Sequence, residues 1–328
     1  MKKLFLSAML LSITTLPIST LASKQVTQNF SNQLTYFPMK NEAMLFIHDK
    51  RNFYYSESPE VAVDWKKFNL TATPDSFNNT QAVHFKNHDY AIGGNIYTTQ
   101  HDTGYVYNQI WRLKNKNPKK MKKVIEVLST FYDLAVFNDT LYASTQDNQL
   151  WKTKNGTKWS RVETKGLPDS ISRIIITSNK MYATLDSANY LGIYYSKNGK
   201  NWHLFTDKYG AINDLTVYND KLYFTLLNDD KNNIELYKQK NDKLFQKVMA
   251  NVNPGIKIVG TAQGLFVAKN TLTDEEVSYK VYQSTDGINF EKVASDNNAL
   301  VSDIIEINNK ILLMISTNEG YKNYLVRI

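Results

Sequence analysis

Along the chain, short runs of aliphatic and aromatic residues come in pairs separated by two turn-forming residues. Leu134 to Phe137, then Asn138-Asp139, then Thr140 to Ala143 is the clearest pair. The layout recurs around Ser178-Asn179, Asn219-Asp220, Gln263-Gly264 and Asn308-Asn309, with a weaker copy at Asn87-His88. Asn, Asp and Gly accept the positive φ of a tight hairpin, so each pair is predicted to be two antiparallel strands. A second punctuation mark has the same period. Thr153-Lys154-Asn155-Gly156-Thr157-Lys158-Trp159, Ser196-Lys197-Asn198-Gly199-Lys200-Asn201-Trp202 and Ser284-Thr285-Asp286-Gly287-Ile288-Asn289-Phe290 all read Ser/Thr-x-Asp/Asn-Gly-x-x-aromatic. The aromatic recurs at Trp159, Trp202, Phe245 and Phe290, in steps of 43, 43 and 45 residues.

Each repeat therefore predicts strand A, a tight turn, strand B, a longer loop, strand C, an Asp/Asn-Gly turn and strand D. Four antiparallel strands every 40–50 residues or so describe a propeller blade. Seven copies are counted, at about 33–75, 76–130, 131–170, 171–210, 211–255, 256–300 and 301–328. The last stops after its third strand, and residues 24–32 are expected to supply the fourth, closing the ring and hiding the edge. The fold class is an all-β, seven-bladed β-propeller; six or eight blades stay open because the first two copies are irregular.

Composition changes the picture at the N-terminus. Met1-Lys2-Lys3, the apolar stretch from Leu4 to Leu16, Pro17 and the small residues Thr20 and Ala22 read as a secretory signal cut after Ala22. A secreted or periplasmic protein is expected, with residues 23–328 as a single domain. The chain has 39 basic and 31 acidic residues; losing Lys2 and Lys3 leaves 37 against 31, a net charge of +6. That is small for this length, and only Arg51, Arg112, Arg161, Arg173 and Arg327 are arginines, which argues against nucleic acid as partner. There is no cysteine, so an exported chain must rely on its core and not on disulfides. A monomer is expected.

The Asp/Asn-Gly turns resemble Asp-box repeats, also called bacterial neuraminidase repeats, of the sialidase-like propellers. The resemblance implies that Asn155, Gly156, Trp159, Asn198, Gly199, Trp202, Asp286, Gly287 and Phe290 are scaffold. The Asx side chain would bond local backbone, glycine would take the positive φ, and the aromatic would pack between blades. The family's catalysis needs three arginines on inner strands. Here Arg112, Arg161 and Arg327 fall on outer strands, Arg51 lies near a turn, and only Arg173 opens an inner strand. The family's Arg-Ile-Pro signature is absent, so the resemblance comes without sialidase chemistry.

Loops joining strands B to C, and D to the next A, open on one face of a propeller. They are rich in Asp and Glu, whereas the C–D turns of the other face carry Lys154, Lys158, Lys197, Lys200, Lys240 and Lys243. A disc with one acidic and one lysine-rich face is predicted. The acidic face suits a carbohydrate or protein ligand, and calcium is the ion it would take; no other cofactor is implied. The ligand candidates are Tyr97, Asp102, Tyr105 and Tyr107 in a long second-blade loop, then Asp186, Tyr190, Asp229, Asp230, Asp274 and Glu275. His84, His88 and His101 read as surface histidines and not as a metal site. No phosphate loop, HExxH or GxSxG motif occurs, and no catalytic residue can be named. A binding module is the favoured reading. A glycoside hydrolase or lyase using carboxylates of the same face, and docking on an envelope component through the lysine-rich face, are the alternatives.

Overall fold

The computed structural model describes residues 34–37, 44–47, 53–55, 66–68, 76–77, 82–98, 103–114, 117–186, 192–206, 212–228, 233–241, 244–252, 256–273, 276–307, 309–317 and 323–328. Every regular element among them is a β-strand. Strands β1 (Leu34–Phe37) and β2 (Met44–Ile47) pair, as do β3 (Phe53–Tyr55) and β4 (Lys66–Phe68). The next sheet is built on β5 (Ser76–Phe77), β6 (Val83–Phe85), β7 (His88–Thr98), β8 (Thr103–Lys114) and β9 (Asn117–Glu126). Four sheets of four antiparallel strands follow in sequence order. They are β10 (Phe131–Phe137), β11 (Thr140–Thr145), β12 (Leu150–Thr153) and β13 (Ser160–Val162); then β14 (Ile171–Ile176), β15 (Met181–Leu185), β16 (Ile193–Ser196) and β17 (Trp202–Thr206). The third is β18 (Ile212–Tyr218), β19 (Lys221–Asn228), β20 (Asn233–Gln239) and β21 (Phe245–Val252). The fourth is β22 (Lys257–Thr261), β23 (Gly264–Leu272), β24 (Val277–Ser284) and β25 (Glu291–Asp296). A three-stranded sheet of β26 (Ala299–Ile307), β27 (Lys310–Thr317) and β28 (Asn323–Arg327) ends the chain.

These sheets are the blades of a β-propeller. With β1 to β4 as the first blade, the count is seven. The first strands of successive sheets touch one another, β10 to β14, β14 to β18, β18 to β22 and β22 to β26, so they are the inner strands. The closing segment at 24–32 lies outside the described residues. No described helix is long and apolar enough to cross a membrane.

The tight turns arise as the Asn and Asp residues dictate. Asn138 and Asp139 have φ of 46° and 53°, and Asn219 and Asp220 have 49° and 55°; both central residues of a two-residue hairpin need this sign. Two expected turns are displaced by one residue. In blade 2 the positive φ values fall on Lys86 and Asn87, and His88 is already in β7, paired with Phe85. In blade 6 the turn residues are Ala262 and Gln263, and Gly264 opens β23 opposite Thr261. In both, pairing of the flanking residues sets the register, and the turn takes the two residues left over.

The core lies between blades. One apolar cluster joins Phe137 and Tyr142 of blade 3 to Ile174, Met181 and Trp202 of blade 4. Equivalent clusters join blades 2 and 3, 4 and 5, 5 and 6, and 6 and 7. Each Asp/Asn-Gly turn is wired into such an interface. Asn155 Oδ1 accepts hydrogen bonds from the Thr157 and Lys158 backbone N–H groups at 3.0 and 2.8 Å, and Gly156 N–H donates to Thr153 Oγ1 at 3.0 Å. Asn198 with Ser196, and Asp286 with Ser284, repeat the pattern. The glycines have φ near +70° and lie against a tyrosine of the preceding blade: Gly156 on Tyr90, Gly199 on Tyr142, Gly287 on Tyr223. A Cβ at Gly156 or Gly287 would overlap the tyrosine hydroxyl.

Candidate functional site

Of the ten ligand candidates, Asp102, Tyr190, Asp229, Asp230, Asp274 and Glu275 lie outside the described residues. Tyr97, Tyr105 and Tyr107 do not sit in a loop as expected. They belong to a hairpin that stays paired to its tip, with Tyr97 opposite Gly104, Ile96 opposite Tyr105 and Thr98 opposite Thr103. A register shift between Gly93 and Asn95 lets the two strands run on together, and Gly94 permits it because any Cβ there would strike the Val106 carbonyl. Tyr107 is half-buried and packs on the apolar cluster between blades 2 and 3. Asp186 is exposed at the end of β15, and its partner is Tyr132, whose hydroxyl donates to it at 2.5 Å.

That contact belongs to a belt of loops on the face where strands B meet C and D meets the next A, over blades 3 and 4. Strands β11, β12, β15 and β16 are short, whereas β7–β8, β19–β20 and β23–β24 are long; residues 187–191, between β15 and β16, lie outside the described residues. The belt is stitched by bonds between its loops, and Ser170 joins the link into blade 4 to the blade-3 loop. Asp147 N–H donates to Ser129 Oγ at 3.1 Å, and Gln146 N–H to the Thr130 carbonyl at 2.8 Å. Ser170 Oγ donates to the Gln146 carbonyl and accepts from Asn148 N–H, and Asp186 N–H donates to the Ser170 carbonyl at 2.9 Å. Three carboxylates stand on this belt, Asp147, Asp169 and Asp186, and none makes an ion pair among the described residues. Burial, reinforced by Asp186 and then Asp169, pushes the Tyr132 hydroxyl well above its usual pKa and keeps it a donor. Beside them Leu128 is fully exposed, in the loop from β9 to β10.

Beneath the belt lies a ring that sequence reasoning missed. Four inner strands slip register by one residue, at Phe131/Asp133, Ile171/Arg173, Ile212/Asp214 and Val301/Asp303. Such a bulge re-aims the following side chain. Asp133 accepts from the Leu134 N–H of its own strand and from Ile174 N–H of the next blade, at 2.8 and 2.7 Å. Asp214 does the same with Leu215 and Ile258, both at 2.9 Å, and also pairs with Arg173. Lys257 lies 3.8 Å from Asp303. Burial works against the Arg173 charge, but Asp214, Asp133 and Asp303 together hold its pKa above the ordinary value. Carboxylates from three blades thus act on one guanidinium in the channel. Burial raises Asp133 to about 6, against the Ile174 N–H, Arg173 and the Leu134 N–H. The signal was available: Phe-Tyr-Asp-Leu, Ile-Ser-Arg-Ile, Ile-Asn-Asp-Leu and Val-Ser-Asp-Ile recur at the head of strand A.

Arg51 lies outside the described residues, and the other arginines do not converge on this ring: Arg112 is on β8, Arg161 on β13 and Arg327 on β28. His84 Nδ1 lies 2.9 Å from Asp89 Oδ1, while His88 Nδ1 bonds the Lys86 carbonyl. No cluster of three or more metal-ligating side chains occurs among the described residues.

No protein-family model matches the chain, and no curated protein matches it either. Solved structures do. YCF48 from Cyanidioschyzon merolae is similar with a TM-score of 0.60 at 11% identity, over 94% of this chain and 98% of that one. YCF48 bound to a D1 peptide gives a TM-score of 0.62 at 8% identity, over 92% and 95%. The WD40 β-propeller domain of Doa1 gives 0.58 at 12%, over 93% and 95%. At these identities the likeness is one of fold, and the fold is the β-propeller.

Proposed function

We propose that the protein is a binding propeller that takes a protein segment, with a basic group beside an apolar one, on the belt over blades 3 and 4. The observation carrying this reading is the stitched belt: exposed Asp147 and Asp186 and half-buried Asp169, none in an ion pair among the described residues, near a fully exposed leucine, on loops fixed by hydrogen bonds to one another. A preorganised surface loses little entropy on binding, and an exposed apolar side chain ringed by charge suits a protein partner. One propeller of similar fold was solved bound to a D1 peptide, so the fold admits a peptide ligand. The Asp-box likeness of the turns enters only as scaffold. Asp133 and Asp214 spend their oxygens on backbone donors and Arg173, which favours a structural ring over an acid–base pair.

The test is selection from a displayed library of random 12-residue peptides, scored on wild type, Asp169→Asn/Asp186→Asn and Leu128→Ser. Enrichment of Lys or Arg next to an apolar residue is expected, with about tenfold weaker binding in each variant, the scale of one good contact. Peptides that bind all three proteins alike, or an empty selection alongside specific retention on a glycan array, would overturn the reading.

A further inference from the structure

The opposite face is the one where A–B and C–D turns emerge. Among its described carboxylates, four are already used between or within blades, and Glu291, at the head of β25, is exposed. Asp139 pairs with Lys86 at 3.1 Å, Asp220 accepts from both the Ser178 N–H and hydroxyl, and Glu306 accepts from Ala262 N–H. Asp286 is occupied by its own turn. The lysines of the C–D turns are not used in this way. Lys154 and Lys158 of blade 3, Lys197 and Lys200 of blade 4, and Lys240 of blade 5 are exposed, and none makes an ion pair among the described residues.

The turn geometry gives the lysines of blades 3 and 4 a common height. In each Asp/Asn-Gly turn the Asx residue holds the backbone from inside and glycine sits on the preceding blade, so the flanking positions must face outward. Lys154, Lys197 and Lys240 occupy the second position of their turns; Lys200 and Lys158 occupy the fifth and sixth. Blades 5 and 6 place apolar residues at those same positions. Leu244 takes the sixth, at 58% exposure, and Ile288 the fifth, at 43%. The turn tips therefore carry lysines over blades 3 to 5 and aliphatic side chains over blades 5 and 6.

We infer that this face docks the propeller on an anionic phospholipid bilayer, the lysines meeting head groups while Leu244 and Ile288 enter the interface. The surface is a set of compact ammonium charges spread across three blades. Spread charge next to exposed apolar tips matches a planar, diffuse, negatively charged surface with an apolar layer below it. This face is opposite the belt over blades 3 and 4, so docking leaves the proposed peptide site open.

The test is co-sedimentation of the purified protein with vesicles of phosphatidylcholine alone or containing 30 mol% phosphatidylglycerol, at ~50 and ~500 mM salt. Binding to the anionic vesicles only, and weakening at least tenfold at the higher salt, is expected. Each neutralised lysine should cost about fivefold, so Lys154→Gln/Lys197→Gln/Lys200→Gln should lose roughly 100-fold. Leu244→Ser/Ile288→Ser should weaken the binding that survives high salt, while Asp169→Asn/Asp186→Asn should bind vesicles like wild type. Equal denaturation midpoints for all variants keep the comparison to the surface. The inference fails if the wild type stays in the supernatant at low salt, or if the triple variant sediments as well as wild type. Retention on heparin without vesicle binding would replace the bilayer with a polysaccharide.

Discussion

Blades 3, 4 and 6 solve the contact between neighbouring blades in one way, and blade 5 solves it in another. In the first group a Ser/Thr at the end of strand C accepts the glycine N–H, and the glycine lies flush on the tyrosine of the blade before. In blade 5 the strand ends in Gln239. Its amide accepts from Leu222 N–H at 3.2 Å and donates to the Tyr182 hydroxyl at 3.3 Å. Tyr182 is as buried as Tyr90 and Tyr223, and Phe245 keeps the aromatic spacing. At the four junctions from blade 2 to blade 6 the fold therefore keeps a buried tyrosine, while its partner can be either a backbone without a side chain or a side-chain amide. What looks in the sequence like a lost repeat is a different means of seating the same ring.

The sharpest way to break this comparison is to put a methyl group where the tyrosine lies. Gly156→Ala and Gly287→Ala each combine a positive φ with overlap onto a buried hydroxyl, and each should cost about 3–5 kcal/mol. Equilibrium chemical denaturation reads this directly. A loss under about 1 kcal/mol would mean that Tyr90 and Tyr223 swing aside, and that the glycine contact is incidental. Gln239→Leu probes the other solution. It removes the acceptor of the Leu222 N–H and the amide that donates to the Tyr182 hydroxyl, at a cost of about 2–3 kcal/mol. Tyr182→Phe added to Gln239→Leu should then cost less than the sum of the two, because both delete one bond. Strict additivity in that cycle would remove the hydrogen bond from the account.

The periodic features were legible because they are local. An Asx-Gly pair beside an alternating strand announces its own turn, and spacing alone orders the blades. The misplaced turns at Lys86-Asn87 and Ala262-Gln263 show the limit, since strand pairing outweighs the preference of one Asn or Gly. The second-blade hairpin shows another: the one glycine between Tyr97 and Tyr107, Gly104, is paired within β8 opposite Tyr97 and does not mark the tip, so strand and loop could not be told apart. The belt and the ring were illegible for a different reason. Ser129 meets Asp147, Ser170 meets Gln146, and Arg173 meets Asp214 only after blades stack. Each partner is an ordinary surface residue until the neighbouring blade arrives. Asp186 was named for its charge, and Tyr132, which gives it a place, was not.

The smallest effect lies within the first group itself. Blade 6 places a carboxylate, Asp286, where blades 3 and 4 place the amides of Asn155 and Asn198. Backbone N–H donation from Asn289 and Ile288, helped by the Asn289 amide and the Ser284 hydroxyl, holds Asp286 far below the usual carboxylate range. The unfolded chain has an ordinary value of about 4. A depressed folded pKa contributes stability above that value and loses it as pH falls further, because the unfolded state then takes up the proton first. Wild type should therefore weaken between pH 5 and pH 3 more steeply than Asp286→Asn, whose amide accepts the same backbone bonds at every pH. Denaturant midpoints at pH 5, 4 and 3 decide it. Parallel curves would mean that the three turns are interchangeable, whichever atom accepts the bonds. Converging curves would mean that blade 6 alone has its turn tied to acid, because its accepting group is a charge and theirs is a dipole.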